Sequence, residues 1–201
     1  MTNFDETARG WDTPERAQRA EAVARSIRAA VPLTPTMRAV EVGAGTGLLG
    51  LALADELGEL VLAEPSEGML EVARAKLADG AQPQVRAVRF DLTTDAPPGE
   101  PFDLAISLLV LHHVADAAAA LAAIFRLLRP GGRMALADLD AEDGSFHGPD
   151  AEGIHHHGFE RGSIAALARA AGFTDVEVRT ATEIERDGRR YPLFLLLGRR
   201  P

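Results

Sequence analysis

Gly43, Gly45 and Gly47 alternate with Ala44 and Thr46 directly behind Glu41-Val42, and the apolar run Leu48-Leu49-Gly50-Leu51 follows. Residues of these types in this order suit a ligand cradle. A strand that ends in such a loop and turns into a helix presents bare backbone N–H groups, and glycines let a ligand approach that backbone closely. A nucleotide is the first ligand class to consider. Two more acids, Glu64 and Asp91, stand at the ends of short apolar runs. The histidines form two groups, His112-His113 and His155-His156-His157, the latter ahead of Gly158-Phe159. An imidazole with a pKa near ~6.5 suits a general base or a pocket wall. Asp138, Asp140, Glu142, Asp143 and His147 near the triplet raise the question of a metal. Their spacing matches no ligand motif, and adjacent histidines alternate direction in extended chain, so no metal is expected.

Three readings compete for the glycine loop. A phosphate-binding loop of the Walker A type needs a lysine and Ser/Thr after its last glycine, and Leu48-Leu49 exclude it. A dinucleotide fingerprint, G-x-G-x-x-G/A, would put its third small residue at Leu48, which disfavours it. A tight turn with no ligand is the third.

Elements that would position these residues are legible in the patterning. Thr13-Pro14-Glu15 reads as a helix start, with a hydroxyl N-cap, proline at the first position and an acid in the first turn. Ala20, Val23, Ala24, Ile27, Ala30 and Val31 continue it at helical spacing until Pro32 and Pro35. Strands are predicted at 37–42, 60–63, 85–90, 102–109 and 133–138, the last entered through the turn Arg129-Pro130-Gly131-Gly132. Helices are predicted at 48–57, from about Glu67 to Leu77 with Gly80 beyond it, and from the cap Asp116 to about Leu128. Such alternation signals βαβ units, hence a parallel sheet with helices on both faces. Residues 139–158 break the rhythm and are too long for an ordinary connection. A helix carrying Ile164, Leu167, Ala168 and Ala171 then stops at Gly172, and two strands flank the hairpin signal Asp187-Gly188. The expected organisation is one α/β domain over 1–201: an N-terminal lid and helix (1–35), a binding core (36–138), a substrate-side insertion (139–160), and a C-terminal helix and antiparallel hairpin (161–201).

Composition sets the outer limits. The 201 residues carry a formal net charge of −9, which disfavours a nucleic-acid partner. Lys76 is the only lysine, and Arg189-Arg190 and Arg199-Arg200 read as solvated ends rather than a binding tract. With no cysteine, disulfides, thiolate metal ligands and a cysteine nucleophile are excluded. No apolar run approaches the ~20 residues of a membrane helix and no signal peptide is legible, so a cytoplasmic protein without a membrane partner is expected.

In these motifs the chain resembles the class I S-adenosylmethionine-dependent methyltransferases, in particular the small-molecule group that includes the ubiquinone/menaquinone-biosynthesis enzymes. Residues Glu41 to Gly47 are similar to their first motif, and Glu64-Pro65-Ser66 with Met69-Leu70 to the acid after the second strand. Asp91-Leu92 matches the position after the third strand. Leu111-His112-His113-Val114, Leu128 to Gly132 and Ala171-Gly172-Phe173 match later signatures. The resemblance covers nearly the whole chain and implies a Rossmann-like, doubly wound, mostly parallel seven-stranded sheet.

It also implies S-adenosyl-L-methionine as cofactor, held by Trp11, Glu41, Gly43, Ala44, Gly45, Gly47, Glu64, Pro65, Ser66, Met69, Asp91, Leu92 and Leu108. On that reading Glu41 orients the loop and approaches the methionine ammonium, Glu64 accepts both ribose hydroxyls and Asp91 accepts from the adenine amine. Pro65, Met69 and Leu92 would pack on the adenine faces, and Phe4 to Trp11 would form a lid. The plainer alternatives are that Glu64 caps the next helix, that Asp91 serves its own turn, that Met69 is core and that Trp11 anchors the following helix. Methyl transfer is an in-line displacement in which the protein mainly orients and excludes water. His112, His113 and His156 are the candidate catalytic residues, facing a small-molecule acceptor. The alternatives to an enzyme of this kind are a non-catalytic protein that kept the cofactor pocket and a nicotinamide-dependent oxidoreductase.

Overall fold

The computed structural model describes residues 4–78, 82–147 and 153–201. The predicted Gly80 stop and residues 148–152 of the histidine-rich connection lie outside them. A short α1, Phe4–Thr7, and a 3-10 turn, Ala8–Gly10, lead into α2, Pro14–Ala30. Thr13 caps α2 as its residue type predicts, its hydroxyl accepting from the Arg16 amide at 3.3 Å with Pro14 at the first position.

Seven strands follow in one sheet: β1 (Arg38–Val42), β2 (Glu59–Glu64), β3 (Val85–Arg89), β4 (Phe102–Leu108), β5 (Leu128–Leu139), β6 (Thr174–Arg186) and β7 (Arg189–Arg199). Their spatial order is β3-β2-β1-β4-β5-β7-β6. The first five are parallel, and β7 runs antiparallel to both β5 and β6. Between them lie α3 (Leu48–Leu53), α4 (Glu67–Leu77), α5 (Ala117–Leu127) and α6 (Arg161–Ala170).

The period-two alternation of the strands sorts the core into two layers. Ala39, Leu60, Leu62, Leu104, Ile106, Ala135 and Leu195 face the side covered by α2, α3 and α4. Val40, Val61, Ala63, Ala105, Leu136 and Leu196 face the side covered by α5 and α6. Both faces are dry, as a parallel sheet requires. Among the described residues no helix is long and apolar enough to cross a membrane.

The differences from expectation have local causes. The helix predicted over 48–57 ends at Leu53 and tightens to a 3-10 turn, Ala54–Glu56. That brings the Gly58 and Glu59 amides onto the Met37 carbonyl, with Gly58 so close under the Pro35 carbonyl that a Cβ would lie 2.4 Å from it. The fifth strand starts at Leu128 rather than Arg133: Leu128 pairs with Phe102 and Arg133 with Leu104, so the predicted Arg129–Gly132 turn bulges out inside the strand around Gly131, at φ +83°. Asp187 and Gly188, both at positive φ, make the hairpin turn, and its strands pair up to Arg186 and Arg189. Arg200 is not a solvated end. It donates to the carbonyls of Phe125 and Leu128 at 3.1 and 2.5 Å and so closes the end of α5.

Candidate functional site

Strand order reverses between β1 and β4, and the crevice outside the carboxyl ends of the strands at such a point is where open α/β sheets bind ligands. The glycine loop leaves β1 there. Gly43, Gly45 and Gly47 all have positive φ, +64°, +55° and +83°. Two of them are also demanded by space. A Cβ on Gly43 would stand 2.5 Å from a Val110 methyl beyond β4, and one on Gly47 2.8 Å from Leu62. The Ala44 amide donates to the Ala63 carbonyl at 3.1 Å, which fastens the loop to β2.

Two carboxylates fix the loop from below. Glu41, 2% exposed, accepts from the Gly50 amide in α3 at 2.9 Å. A Cβ on Gly50 would come within 2.5 Å of that oxygen, so the buried acid explains a glycine inside a helix. Burial pushes the Glu41 carboxyl up to about 8, and the charge of Glu64 adds to it; the Gly50 N–H and Lys76 pull the other way. Glu64 accepts from the Gly45 amide at 2.8 Å and from the Ser66 amide at 2.9 Å, one bond on each oxygen. Burial raises its carboxyl as well. Ser66 caps α4 by accepting from the Met69 amide at 3.2 Å, and Met69 is buried at 1% exposure. Pro65 is exposed between them.

Farther along the rim, Asp91 Oδ1 accepts from both the amide and the hydroxyl of Thr93, at 2.8 and 2.6 Å. That is the local turn chemistry weighed as the alternative for this residue. Leu92 packs on the layer under α5 and α6, and Leu108 on the opposite layer. Leu109, just beyond β4, is held at φ +60° while its amide donates to the Ala137 carbonyl at 2.8 Å. A branched residue there carries backbone strain on the order of 1–3 kcal/mol.

The N-terminal segment is clamped over this rim by residues that sequence reasoning did not single out. Asp5 accepts from the Ser66 hydroxyl (2.6 Å) and the Gly68 amide (2.8 Å) at the start of α4. Asp12 accepts from the Thr46 hydroxyl at 2.5 Å and pairs with Lys76 at 2.5 Å, while Lys76 also donates to the Thr46 carbonyl at 2.7 Å. Trp11 lies against the loop, its indole nitrogen 3.8 Å from where a Gly45 Cβ would be. It also meets α2: the Arg16 guanidinium stacks 3.8 Å over its ring and donates to its carbonyl. Contact with the loop and anchoring of α2 therefore coexist in Trp11.

Across the crevice the histidines regroup. His112 is fully buried, with Nδ1 2.6 Å from Asp138 Oδ1 at the end of β5. Its Nε2 faces Nε2 of His147 at 3.1 Å. His113 sits beside them, its Nδ1 3.0 Å from the Gly153 carbonyl and its ring edge-on to Phe4, which is likewise edge-on to Trp11. Burial lowers the pKa of His113, and burial with the neighbouring imidazoles takes His147 down to about 4. The rings of His156 and His157 do not join this group, but the backbone of the triplet is tied to it: the amides of His155 and His156 donate to the His112 carbonyl at 2.9 and 3.1 Å. His156 Nε2 is 3.1 Å from the Val114 carbonyl and its ring packs on Phe159, while His157 is exposed beside Glu142. His112 and His113 thus come together with His147, while the His156 ring turns to Val114 and Phe159 instead.

Residues 16–178 match a protein family described as a methyltransferase domain. The biotin biosynthesis bifunctional protein BioCD of Bordetella avium is 40% identical over 144 residues, which cover 69% of this chain and 30% of that protein. The ubiquinone biosynthesis O-methyltransferase of Rhizobium rhizogenes is 34% identical over 117 residues, 58% of this chain and 46% of that one. The chain therefore spans less than half the length of these two curated relatives. Among solved structures, a SAM dependent methyltransferase from Aquifex aeolicus superposes with a TM-score of 0.72 at 16% identity, covering 97% of each chain.

Proposed function

This chain belongs to the methyltransferase-domain family, and from that premise we propose that it transfers a methyl group from S-adenosylmethionine to a small-molecule acceptor. The single observation that carries the reading is the glycine loop with its two buried acids, Glu41 and Glu64, at the sheet's switch point. The donor set fits the cofactor's chemistry: an ammonium and a pair of ribose hydroxyls both call for carboxylates, and bare glycine backbone lets the chain pass close to the sugar. When bound, S-adenosylmethionine supplies the activated methyl.

The residues of the chain do the rest. Glu41 holds α3 and meets the ammonium, and Glu64 offers the ribose hydroxyls the remaining lone pairs of its two oxygens. Leu92 flanks the adenine while Met69, fully buried, packs beneath as core, and Asp91 faces the adenine amine through the oxygen not engaged by Thr93. Phe4 to Trp11, pinned by Asp5 and Asp12, acts as a lid that excludes water. His113, backed by the fully buried His112, forms the wall against which the acceptor is oriented. Holding two reactants in line contributes about 7–11 kcal/mol to such a reaction, so a dedicated base is not required by the geometry. The names of the relatives support a small metabolite such as a quinone precursor or a biotin precursor as acceptor.

The test is turnover: the full chain is incubated with S-adenosylmethionine and a panel of hydroxylated and carboxylated metabolites, and release of S-adenosylhomocysteine is measured. Release that requires one acceptor class supports the reading. Tight cofactor binding with no release across the panel would instead favour a non-catalytic binding protein.

A further inference from the structure

Three imidazoles from two stretches of chain meet beyond β4 and β5, and the groups around them are oriented one way. Nδ1 of His112 bonds Asp138 and Nδ1 of His113 bonds the Gly153 carbonyl. Since both partners are acceptors, each Nδ1 is the protonated nitrogen, which leaves each Nε2 with its lone pair. Asp138 is itself immobilised, with Oδ2 accepting from the Leu111 amide and Oδ1 from the Leu139 amide, both at 2.8 Å.

One nitrogen from each of His112, His113 and His147 lies within 4.8 Å of the other two. Around a four-coordinate ion with metal–nitrogen bonds of about 2.0–2.1 Å, ligand nitrogens sit about 3.3–3.4 Å apart. The His112–His147 pair, at 3.1 Å, is already near that spacing. Without an ion it is a hydrogen bond from His147 Nε2–H to the His112 Nε2 lone pair, and an ion takes the place of that proton, which moves to Nδ1 of His147 through solvent. A buried imidazole whose other nitrogen is fixed by a carboxylate is the usual outer support of a metal ligand.

We propose that His112, His113 and His147 form a three-histidine site for a divalent transition-metal ion, with a fourth position left for a donor atom of the acceptor. An all-imidazole set selects zinc, iron, cobalt, nickel or copper rather than magnesium or calcium. Phe4, edge-on to His113, and Phe146, edge-on to His147, pack against the imidazoles of the cluster. Phe4 also touches Trp11, which lies against the glycine loop, so the cluster stands beside the cofactor crevice. Metal binding stands on this geometry alone; delivery of the acceptor to the methyl rests on the methyl-transfer reading above. Sequence spacing hid the site because His147 lies 35 positions from His112.

The full chain, dialysed against a chelator, is titrated with Co(II) and followed by visible absorption, with Zn(II) as competitor. One equivalent should give four-coordinate bands that Zn(II) removes. His147→Ala should weaken binding at least about ten-fold, and Asp138→Asn about 10–100-fold, as loss of outer support does. His157→Ala, at an exposed imidazole outside the cluster, should leave it unchanged. A melt verifies that each variant is folded; His147 is only part-buried, so that variant keeps the question answerable if Asp138→Asn does not fold. Absence of the bands in wild type, or a folded His147→Ala that binds as wild type does, overturns the proposal. The same samples are titrated with S-adenosylhomocysteine. Heat with that ligand but no cobalt bands overturns the metal site alone, and cobalt bands without that heat overturn only the cofactor reading.

Discussion

Glu41→Gln isolates the most costly group in the site. The glutamine keeps a carbonyl oxygen for the Gly50 amide and removes the titration. In the wild type the folded carboxyl is held at about 8 against an ordinary value of 4.5. Between those two pH values the folded chain keeps a proton that the unfolded chain has released, so stability falls as pH rises through the window. Below it the penalty is absent; above it the penalty is complete. At 1.36 kcal/mol per pH unit, the interval from 4.5 to about 8 corresponds to a loss of up to about 5 kcal/mol. Urea unfolding of both proteins from about pH 5 to about pH 9 should therefore show curves that start close together and diverge, the wild type losing stability relative to Glu41→Gln. Cofactor binding adds a second readout. An ammonium requires the carboxylate, so binding of S-adenosylhomocysteine near neutral pH should expel a proton, seen as a heat that depends on buffer ionisation and is missing in the variant. Parallel stability curves across the whole range would refute the buried-acid argument.

Other consequences are simpler to measure. Glu64→Gln removes a charge-assisted acceptor for hydroxyls; at about 1.5–3 kcal/mol per bond, affinity for S-adenosylhomocysteine should fall at least about ten-fold in calorimetry, with the fold intact by circular dichroism. Gly43→Ala forces a side chain into positive φ and onto Val110, so urea unfolding should show a loss of about 1–3 kcal/mol or more, together with loss of cofactor binding. Asp12→Asn breaks the partly exposed pair with Lys76, which contributes about 1 kcal/mol or less to global stability. It should nonetheless speed proteolytic cleavage within residues 4–12, and saturating S-adenosylhomocysteine should slow that cleavage in the wild type. Equal cleavage with and without ligand would remove the lid.

The layout of strands, helices and the glycine loop was legible because each rests on local chemistry. Thr13 and Asp116 cap the helices they were expected to cap, Asp187-Gly188 turns the hairpin, and alternating apolar residues fill both layers. What escaped the sequence depends on residues far apart in the chain. Gly50 gives no local hint that a buried Glu41 oxygen needs its space. Asp5 and Asp12 look like ordinary surface acids until the fold lays them on Ser66, Gly68, Thr46 and Lys76. The adjacent histidines at 155–157 drew attention by proximity, whereas the cluster that forms draws on His147 and is supported by Asp138, 26 positions from His112. Within the site, Glu41 holds the start of α3 behind the loop and Glu64 accepts from the Gly45 amide, a contact that no local pattern signals, while Asp91 spends one oxygen on its own turn.

The central claim is that the crevice at the β1–β4 switch point binds S-adenosylmethionine, and calorimetric titration of the folded full chain with S-adenosylhomocysteine and, separately, with NAD tests it most directly. Saturable heat with the former at one site per chain, weakened in Glu64→Gln, and none with NAD is the expected result. No heat with S-adenosylhomocysteine, or saturable heat with NAD instead, would contradict it.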